Sequence, residues 1–295
     1  MANPTLARRG AEAPLPLRAE AAAARLPPLV VAAERVAATV MQGVHGRRRA
    51  GQGDAFWQFR PYLPGDDAAR VDWRQSGKSD RLYLRETEWE SAQTVALWRD
   101  ASPGMDWSGG AERPTKGARA DLLLLALASL LLRGGERVRL LGGGRGLSGR
   151  GALPALAMRL EGLSGPPADE TLPRHTRAVL FGDFLAPLPA LRAALSPLAA
   201  AGIRATLVTL RDPAEETLPY GGRVRFEPMD GTDHALVPRV EGIRGLYEER
   251  LAAHRAGLAA LAGSLGFRLL SHRTDHPPEA ALMALWQALA PQGAR

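Results

Sequence analysis

The sequence predicts an α/β fold in which a mostly parallel sheet carries helices on both faces. Two apolar runs, 95–99 and 177–181, are each followed closely by an acid, Asp100 and Asp183. An apolar run that stops at a carboxylate is typical of a buried parallel strand whose C-terminal end leads into a functional loop. Strand-like runs also alternate with long helix-like segments, which is the pattern of parallel sheets.

The individual elements follow from composition and periodicity along the chain. Residues 1–27 are rich in Ala, Arg and Pro and predict a loose arm, whereas 29–41 has the apolar spacing of an amphipathic helix. Apolar stretches without β-branched runs predict the later helices, and residues such as Ile203 and Val208 predict strands. The predicted strands are 81–86, 95–99, 137–141, 177–181, 203–210 and 267–271, and the predicted later helices are 122–132, 152–163, 188–201, 240–265 and 279–289.

Composition limits the possible functions. The 295 residues are 45% hydrophobic, which is enough for a proper core, and they include no cysteine, which excludes disulfides and thiolate metal sites. The net charge of +7 is almost wholly arginine, because Lys78 and Lys116 are the only lysines. No block of five like charges occurs, so a nucleic-acid partner is not indicated.

The chain also shows no membrane or targeting signal. Its most apolar run, 122–132, is well short of the ~20 residues that span a bilayer. The N-terminal stretch has no compact apolar core of the kind that marks a signal peptide. We therefore expect no transmembrane segment and a cytoplasmic location.

Residues 51–90 have an unusual composition. Pro64-Gly65 fits the centre of a type II turn, and acids alternate with arginines after it, which indicates a network of ion pairs. About forty residues are too few for an independent core, so we expect a β-rich segment joined to the main sheet. Two interpretations remain open, a structural salt-bridged edge and a docking surface for a partner. The candidate docking residues are Arg60, Tyr62, Asp66, Asp67, Arg70, Asp72 and Trp73.

Several motifs share residue types and spacing with a known family. They are Gly43-x-His45, Gly51-x-Gly53-Asp54-x-Phe56, Arg60-x-Tyr62-x-Pro64-Gly65-Asp66-Asp67, Arg70-x-Asp72-Trp73, Arg85-Glu86, Asp100-x-Ser102-x-x-Met105 and Phe181-Gly182-Asp183-Phe184. In these motifs the chain resembles the domain-of-unknown-function fifty-eight family, over about residues 43–290. Composition predicts a flexible arm and short helix at 1–42, and the resemblance implies a β-rich family-signature segment at 43–92 packed on the main domain and a von Willebrand factor A-like (Rossmann-like) domain at 93–290.

The resemblance also implies a role. Members of this family are often encoded beside MoxR-type AAA+ ATPases and are thought to act with them in chaperone-like maturation of other proteins. We therefore expect a non-enzymatic adaptor whose partners are a MoxR-type ATPase and a client protein.

A metal site is a further implication of the resemblance. In von Willebrand factor A-like domains, the loop after the first strand binds a metal ion through an Asp-x-Ser-x-Ser motif. Asp100 and Ser102 match its first two positions and Asp183 matches a later acid, but Gly104 replaces the second serine. The expected threonine has no clear counterpart, although Thr171 lies in roughly the right region.

So few ligands predict weak or absent ion binding. Mg²⁺ or Mn²⁺ prefers about six oxygen ligands, and two or three protein ligands leave such an ion mostly hydrated. The replacement Gly104→Ser is therefore predicted to strengthen binding. The alternative is a degenerate site in which Asp100 caps backbone amides.

An enzyme is the second functional hypothesis. Gly144-Arg-Gly146-Leu-Ser-Gly149 has the G-x-G-x-x-G spacing of a dinucleotide-binding loop, although Asp169 is not placed at the end of a following strand. A metal- or nucleotide-dependent enzyme would use Asp100, Asp183 and the glycine loop at 142–149. The sequence contains no P-loop, no H-E-x-x-H zinc motif and no G-x-S-x-G nucleophile motif.

Overall fold

The computed structural model describes residues 29–41, 56–62, 71–78, 81–87, 93–167, 172–173, 176–229 and 234–289. The strands are β1 (Phe56–Pro61), β2 (Tyr83–Thr87), β3 (Thr94–Arg99), β4 (Arg137–Leu140), β5 (Arg177–Gly182), β6 (Arg204–Arg211), β7 (Val224–Phe226), β8 (Ala235–Val237) and β9 (Arg268–Arg273). The helices are α1 (29–41), α2 (Trp73–Ser76), α3 (Lys116–Arg133), α4 (Leu153–Glu161), α5 (Leu188–Ala200), α6 (Pro213–Thr217), α7 (Arg244–Ser264) and α8 (Pro278–Leu289).

The central sheet has five strands in the order β4-β3-β5-β6-β9, and each neighbouring pair is parallel. Numbered along the chain, its strands follow the order 2-1-3-4-5 of a doubly wound sheet, and the order reverses between β3 and β5. Ligands of open α/β sheets bind at the carboxyl ends of the strands beside such a reversal, because loops diverge there. The loops that follow β3 and β5 are therefore the expected location of a functional site.

Helices cover both faces of this sheet. Alternate residues of β3 enter two separate buried clusters, because successive side chains of a strand point to opposite faces. Val95 and Leu97 pack with residues of α1, α3, α4 and α8, whereas Ala96 and Trp98 pack with residues of α5 and α7. The predicted α/β class, with its mostly parallel sheet, is confirmed.

Most predicted elements are present with small boundary shifts. The helix predicted at 122–132 begins earlier, at Lys116, and the one predicted at 240–265 begins with a 3₁₀ turn before α7. β1 lies in the segment predicted to be β-rich, whereas the sequence did not indicate α2, α6, β7 or β8, which have three to five residues each. No helix within the described ranges combines the length and apolar character that crossing a bilayer requires.

The described strands of the 51–90 segment do not hydrogen-bond to the main sheet, and the packing of this β-rich segment on the main domain stays a prediction. β1 and β2 pair antiparallel with each other in a separate two-stranded sheet. At the β4 edge of the main sheet, Val138 instead exchanges two backbone hydrogen bonds of 2.8 and 2.7 Å with Leu147. The hydrogen-bonding groups at that point of the edge are therefore already used by the chain that follows β4.

Candidate functional site

Asp100 and Asp183 lie at the same edge of the sheet. Arg99 at the end of β3 is in register with Phe181 of β5, and the Asp100 amide donates to the Phe181 carbonyl at 2.8 Å. A Cβ atom added at Gly182 would lie only 3.2 Å from the Cβ of Asp100, so the two strand ends are in close contact. The prediction that both acids end neighbouring buried strands at one edge is confirmed.

Each acid turns its own loop with one carboxylate oxygen. Asp100 Oδ1 accepts from the Ser102 amide at 2.8 Å, and Asp183 Oδ1 accepts from the Leu185 amide at 3.1 Å. Side-chain acceptors of this kind stabilise tight turns by satisfying an amide two residues ahead. One Asp100 oxygen therefore has the backbone-capping role that the degenerate-site alternative predicted, while Ser102 is exposed.

The second Asp183 oxygen binds a buried lysine that the sequence did not single out. Lys116, the first residue of α3, is only 1% exposed. Its ammonium donates to Asp183 Oδ2 at 2.8 Å and also to Glu215 Oε1 on α6. These three residues, which we call the strand-end site, thus form a cation held between two carboxylates, one in the loop after β5 and one on α6.

Electrostatics favour the charged form of this lysine. Burial acts to lower the pKa of Lys116, but the charges and hydrogen bonds of Asp183 and Glu215 outweigh burial and raise it. Burial raises the pKa of the Glu215 carboxyl, and the Lys116 charge opposes that rise. Lys116 therefore remains an ammonium throughout the physiological pH range.

A completely buried aspartate supports the same edge. Asp212 follows β6 and is 0% exposed. It caps α6 by accepting from the Ala214 amide at 2.8 Å, and Glu215 accepts in return from the Asp212 amide at 3.2 Å. Its other oxygen accepts from the Gly109 amide at 3.2 Å and lies 3.3 Å from Arg113 Nε. This capping box positions Glu215 for its contact with Lys116.

A cleft of about 180 Å³ opens beside the lysine and its carboxylates, with Asp183 and Glu215 among its lining residues. Two side chains of α7 fix its walls. The Tyr247 hydroxyl donates to the Glu215 carbonyl, and His254 Nε2 donates to the Phe184 carbonyl at 2.8 Å. Phe184 adopts a left-handed φ of 51°, which only a tightly held non-glycine residue sustains. Helix α7 therefore anchors both the loop after β5 and helix α6.

His272 of β9 is buried against a permanent cation. Arg119 Nη1 lies 3.3 Å from His272 Nε2, while the same guanidinium donates to the Thr274 and His276 carbonyls at 2.8 and 2.7 Å. Burial and the neighbouring Arg119 charge lower the pKa of His272 to about 4. The neutral ring suits this position, because its unprotonated nitrogen can accept from the guanidinium.

Acidification is therefore expected to destabilise the fold through His272. Its pKa is lower in the folded state than the ordinary 6.5, so its contribution is present above pH 6.5 and is lost as pH falls towards 4. The loss amounts to about 3 kcal/mol of unfolding free energy when complete. Chemical denaturation at a series of pH values should show a shallower decline for His272→Gln, which keeps an acceptor for Arg119.

Comparing the wild-type protein with His272→Gln isolates the contribution of the His272 ring. Burial raises the pKa of Asp121 to about 6, so Asp121 titrates in the same window with the opposite effect on stability, but it does so in both proteins. The exposed residue His276 supplies the control variant, His276→Gln. Equal slopes for wild type and His272→Gln would contradict the prediction.

Only some of the candidate docking residues lie within the described part of the chain. Trp73 at the start of α2 is 69% exposed, whereas Tyr62 and Asp72 are partly buried. Arg60 lies within β1. The candidates Asp66, Asp67 and Arg70, together with Thr171 and Asp169, lie outside the described residues.

The glycine loop at 142–149 folds back on its own strand. Leu147 pairs with Val138, and the Arg159 guanidinium donates to the Arg145 carbonyl at 2.8 Å. Within the described ranges, no group of three or more His, Asp or Glu side chains is placed to hold a metal ion.

Comparison with known proteins identifies the family. The family model "Protein of unknown function DUF58" matches residues 58–257, more than half of the chain. The uncharacterized proteins Rv1480 from Mycobacterium tuberculosis and Mb1516 from Mycobacterium bovis are each 26% identical to it, with 80% of this chain and 80% of the relative covered. A crystal structure of the conserved hypothetical protein BatB from Bacteroides thetaiotaomicron matches with a TM-score of 0.36 and 13% identity over 68% of this chain and 99% of that one, a likeness too distant to carry an argument. The chain belongs to the DUF58 family.

Proposed function

We propose that this protein is a non-enzymatic adaptor that works in the cytoplasm with a MoxR-type AAA+ ATPase in the maturation or assembly of a client protein. The observation that carries the proposal is the pairing of Lys116 with Asp183 and Glu215. Carboxylates at the active site of an enzyme must hold a metal, a proton or a substrate, but Asp183 and Glu215 are already bound by a side chain of the same protein. A rigid edge whose carboxylates are held by an internal ammonium suits recognition of another protein better than it suits turnover.

The finer fold assignment is part of the same proposal. A parallel sheet with helices on both faces is compatible with a von Willebrand factor A-like domain, which the family resemblance implies. Domains of that kind recognise partners through the loops at the carboxyl edge of the sheet. The loops after β3 and β5 are the corresponding loops here.

Trp73 is the residue we propose for contact with the ATPase. It lies inside the segment matched by the family model and exposes 69% of its surface. Tryptophan is among the residues that contribute most to protein interfaces, which makes the exposed Trp73 ring a candidate anchor for a partner. Met158 on α4 is 62% exposed and lies on a different element, so it provides a matched control.

Binding to the ATPase tests the proposal. We expect the purified chain to bind the MoxR-type ATPase of the same organism in its ATP-bound or ADP-bound state, measured by calorimetry. Trp73→Ala should weaken binding about thirtyfold, the effect of losing about 2 kcal/mol at an interface hot spot. Met158→Ala should bind like wild type. Absence of binding in both nucleotide states would refute the adaptor role, and equal losses in the two variants would refute the assignment of Trp73.

A further inference from the structure

We propose that Lys116 is the resident cation of the strand-end site, and that its ammonium stands where an adhesion-type site would hold a divalent ion. The proposal concerns the chemistry of the site alone and holds whichever partner the protein binds.

The ammonium donates to the Asp183 oxygen that a metal ion would need as a ligand. Asp183 Oδ2, which accepts from Lys116 at 2.8 Å, also lies 3.4 Å from the position that a Cβ atom would take at Gly104. Position 104 is where the adhesion motif would have its second serine. The lysine therefore binds the Asp183 oxygen that lies beside Gly104.

The residues present do not fit a divalent ion. One oxygen of Asp100 and one of Asp183 accept from backbone amides of their own loops, and the other Asp183 oxygen accepts from Lys116. Gly104 offers no side-chain oxygen, although Mg²⁺ and Mn²⁺ require about six oxygen ligands in a regular array. An ion that bound Asp183 Oδ2 would also lie within a few ångströms of a buried positive charge, and like charges at such distances repel strongly.

The identity and location of the residue support this role. Only two of the 38 basic residues are lysines, and the other, Lys78, is exposed. Lys116 is the first residue of α3, where the helix dipole disfavours a positive charge, so the two carboxylates must compensate for its presence. An ammonium is a compact point charge with three donors, which fits a metal-sized position in a way that a planar guanidinium does not.

A consequence is that the edge is assembled without metal. Lys116 joins three parts of the chain, because its own position opens α3, Asp183 follows β5 and Glu215 lies on α6. In a metal-dependent site, removal of the ion loosens such a connection. Here the cation is a side chain of the protein itself and cannot dissociate, so the loops keep one arrangement whether or not divalent ions are present.

The two lysines make a direct test possible with the wild-type chain. In protein labelled with ¹⁵N at lysine, we expect one ammonium signal protected from exchange with water, Lys116, and one in rapid exchange, Lys78. Millimolar Mn²⁺, which broadens nearby signals, should leave the Lys116 signal as sharp as before. Selective broadening of Lys116 that Asp183→Asn abolishes would overturn the proposal.

A variant series gives the complementary test. Mn²⁺ binding followed by electron paramagnetic resonance should be undetectable at millimolar concentration for wild type, Gly104→Ser and the control Lys78→Met. The sequence alone predicts stronger binding for Gly104→Ser, but Lys116 changes that expectation because its charge remains. Lys116→Met combined with Gly104→Ser should bind Mn²⁺ at least about tenfold more tightly than Gly104→Ser, since a unit charge close to the ion is removed.

Two outcomes of the series would overturn the proposal. Equal affinities of the double variant and Gly104→Ser would show that something other than Lys116 excludes the ion. Binding by wild type as tight as that of the double variant would show that the ammonium does not compete with metal. If the double variant does not fold, the wild-type lysine spectrum alone decides between the two accounts.

Discussion

Replacement of Lys116 by methionine is expected to lower the free energy of unfolding by about 3 kcal/mol. Methionine nearly preserves the length of the side chain, so the loss reflects the charge and its hydrogen bonds rather than a large cavity. Without the ammonium, Asp183 and Glu215 are left as two carboxylates that are 12% and 19% exposed and have no compensating cation from Lys116. Removing one partner of a buried ion pair is costly for this reason, even when the intact pair contributes little net stability.

Denaturant unfolding followed by circular dichroism measures this loss. Lys78→Met is the matched control, because it makes the same chemical change at an exposed position and should leave the unfolding free energy nearly unchanged. Lowering the pH into the range where carboxylates protonate should narrow the gap between Lys116→Met and wild type, since the unpaired acids then lose their charge. A loss in Lys116→Met no larger than that in Lys78→Met would contradict the account.

The variant Asp212→Ala is expected to lose about 4 kcal/mol of unfolding free energy, because it removes a fully buried carboxylate with several partners. The amides of Ala214 and Gly109 would lose their acceptor, and the Arg113 guanidinium would lose its carboxylate. The Thr274 hydroxyl, which donates to Asp212 Oδ2 at 3.3 Å, would also lose its partner. Hydrogen exchange should show α6 opening in this variant, since its capping box is gone.

Two further variants make this prediction specific. Asp212→Asn keeps an oxygen that can accept from Ala214 and should fall between wild type and Asp212→Ala. Asp275→Ala breaks an ion pair with Arg273 whose side chains are about one-third exposed, and such surface pairs contribute little. If Asp212→Ala is no less stable than Asp275→Ala, the buried hydrogen-bond network does not stabilise the edge as described.

The fold was predictable because its central elements have strong local signals. The apolar runs at 95–99 and 177–181 are long enough to mark buried strands, and their alternation with helices fixes the class. The missed elements are short and depend on tertiary context. Helix α6 has five residues and is stabilised by the Asp212 capping box, and β7 and β8 have three residues each. Hydrophobic periodicity carries no information over such lengths.

The site was predictable only in part. Asp100 and Asp183 were found because an acid at the end of a buried strand is a sequence-level signal, and Asp212 carries the same signal after β6 but was not singled out. Lys116 gave no comparable signal, because it precedes the apolar run of α3 and its residue type is not a metal ligand. Its partner Glu215 is 99 residues away along the chain, so only the folded structure brings the two together.

An anomalous-diffraction experiment most directly tests the central claim that the Lys116 ammonium occupies the strand-end site in place of a metal ion. Crystals of the wild-type protein would be soaked in millimolar MnCl₂ and measured at the manganese absorption edge. We predict no anomalous peak beside Asp183 Oδ2 and a Lys116 ammonium still within hydrogen-bond distance of that oxygen. A manganese peak at that position, with the Lys116 side chain displaced from Asp183, would contradict the account.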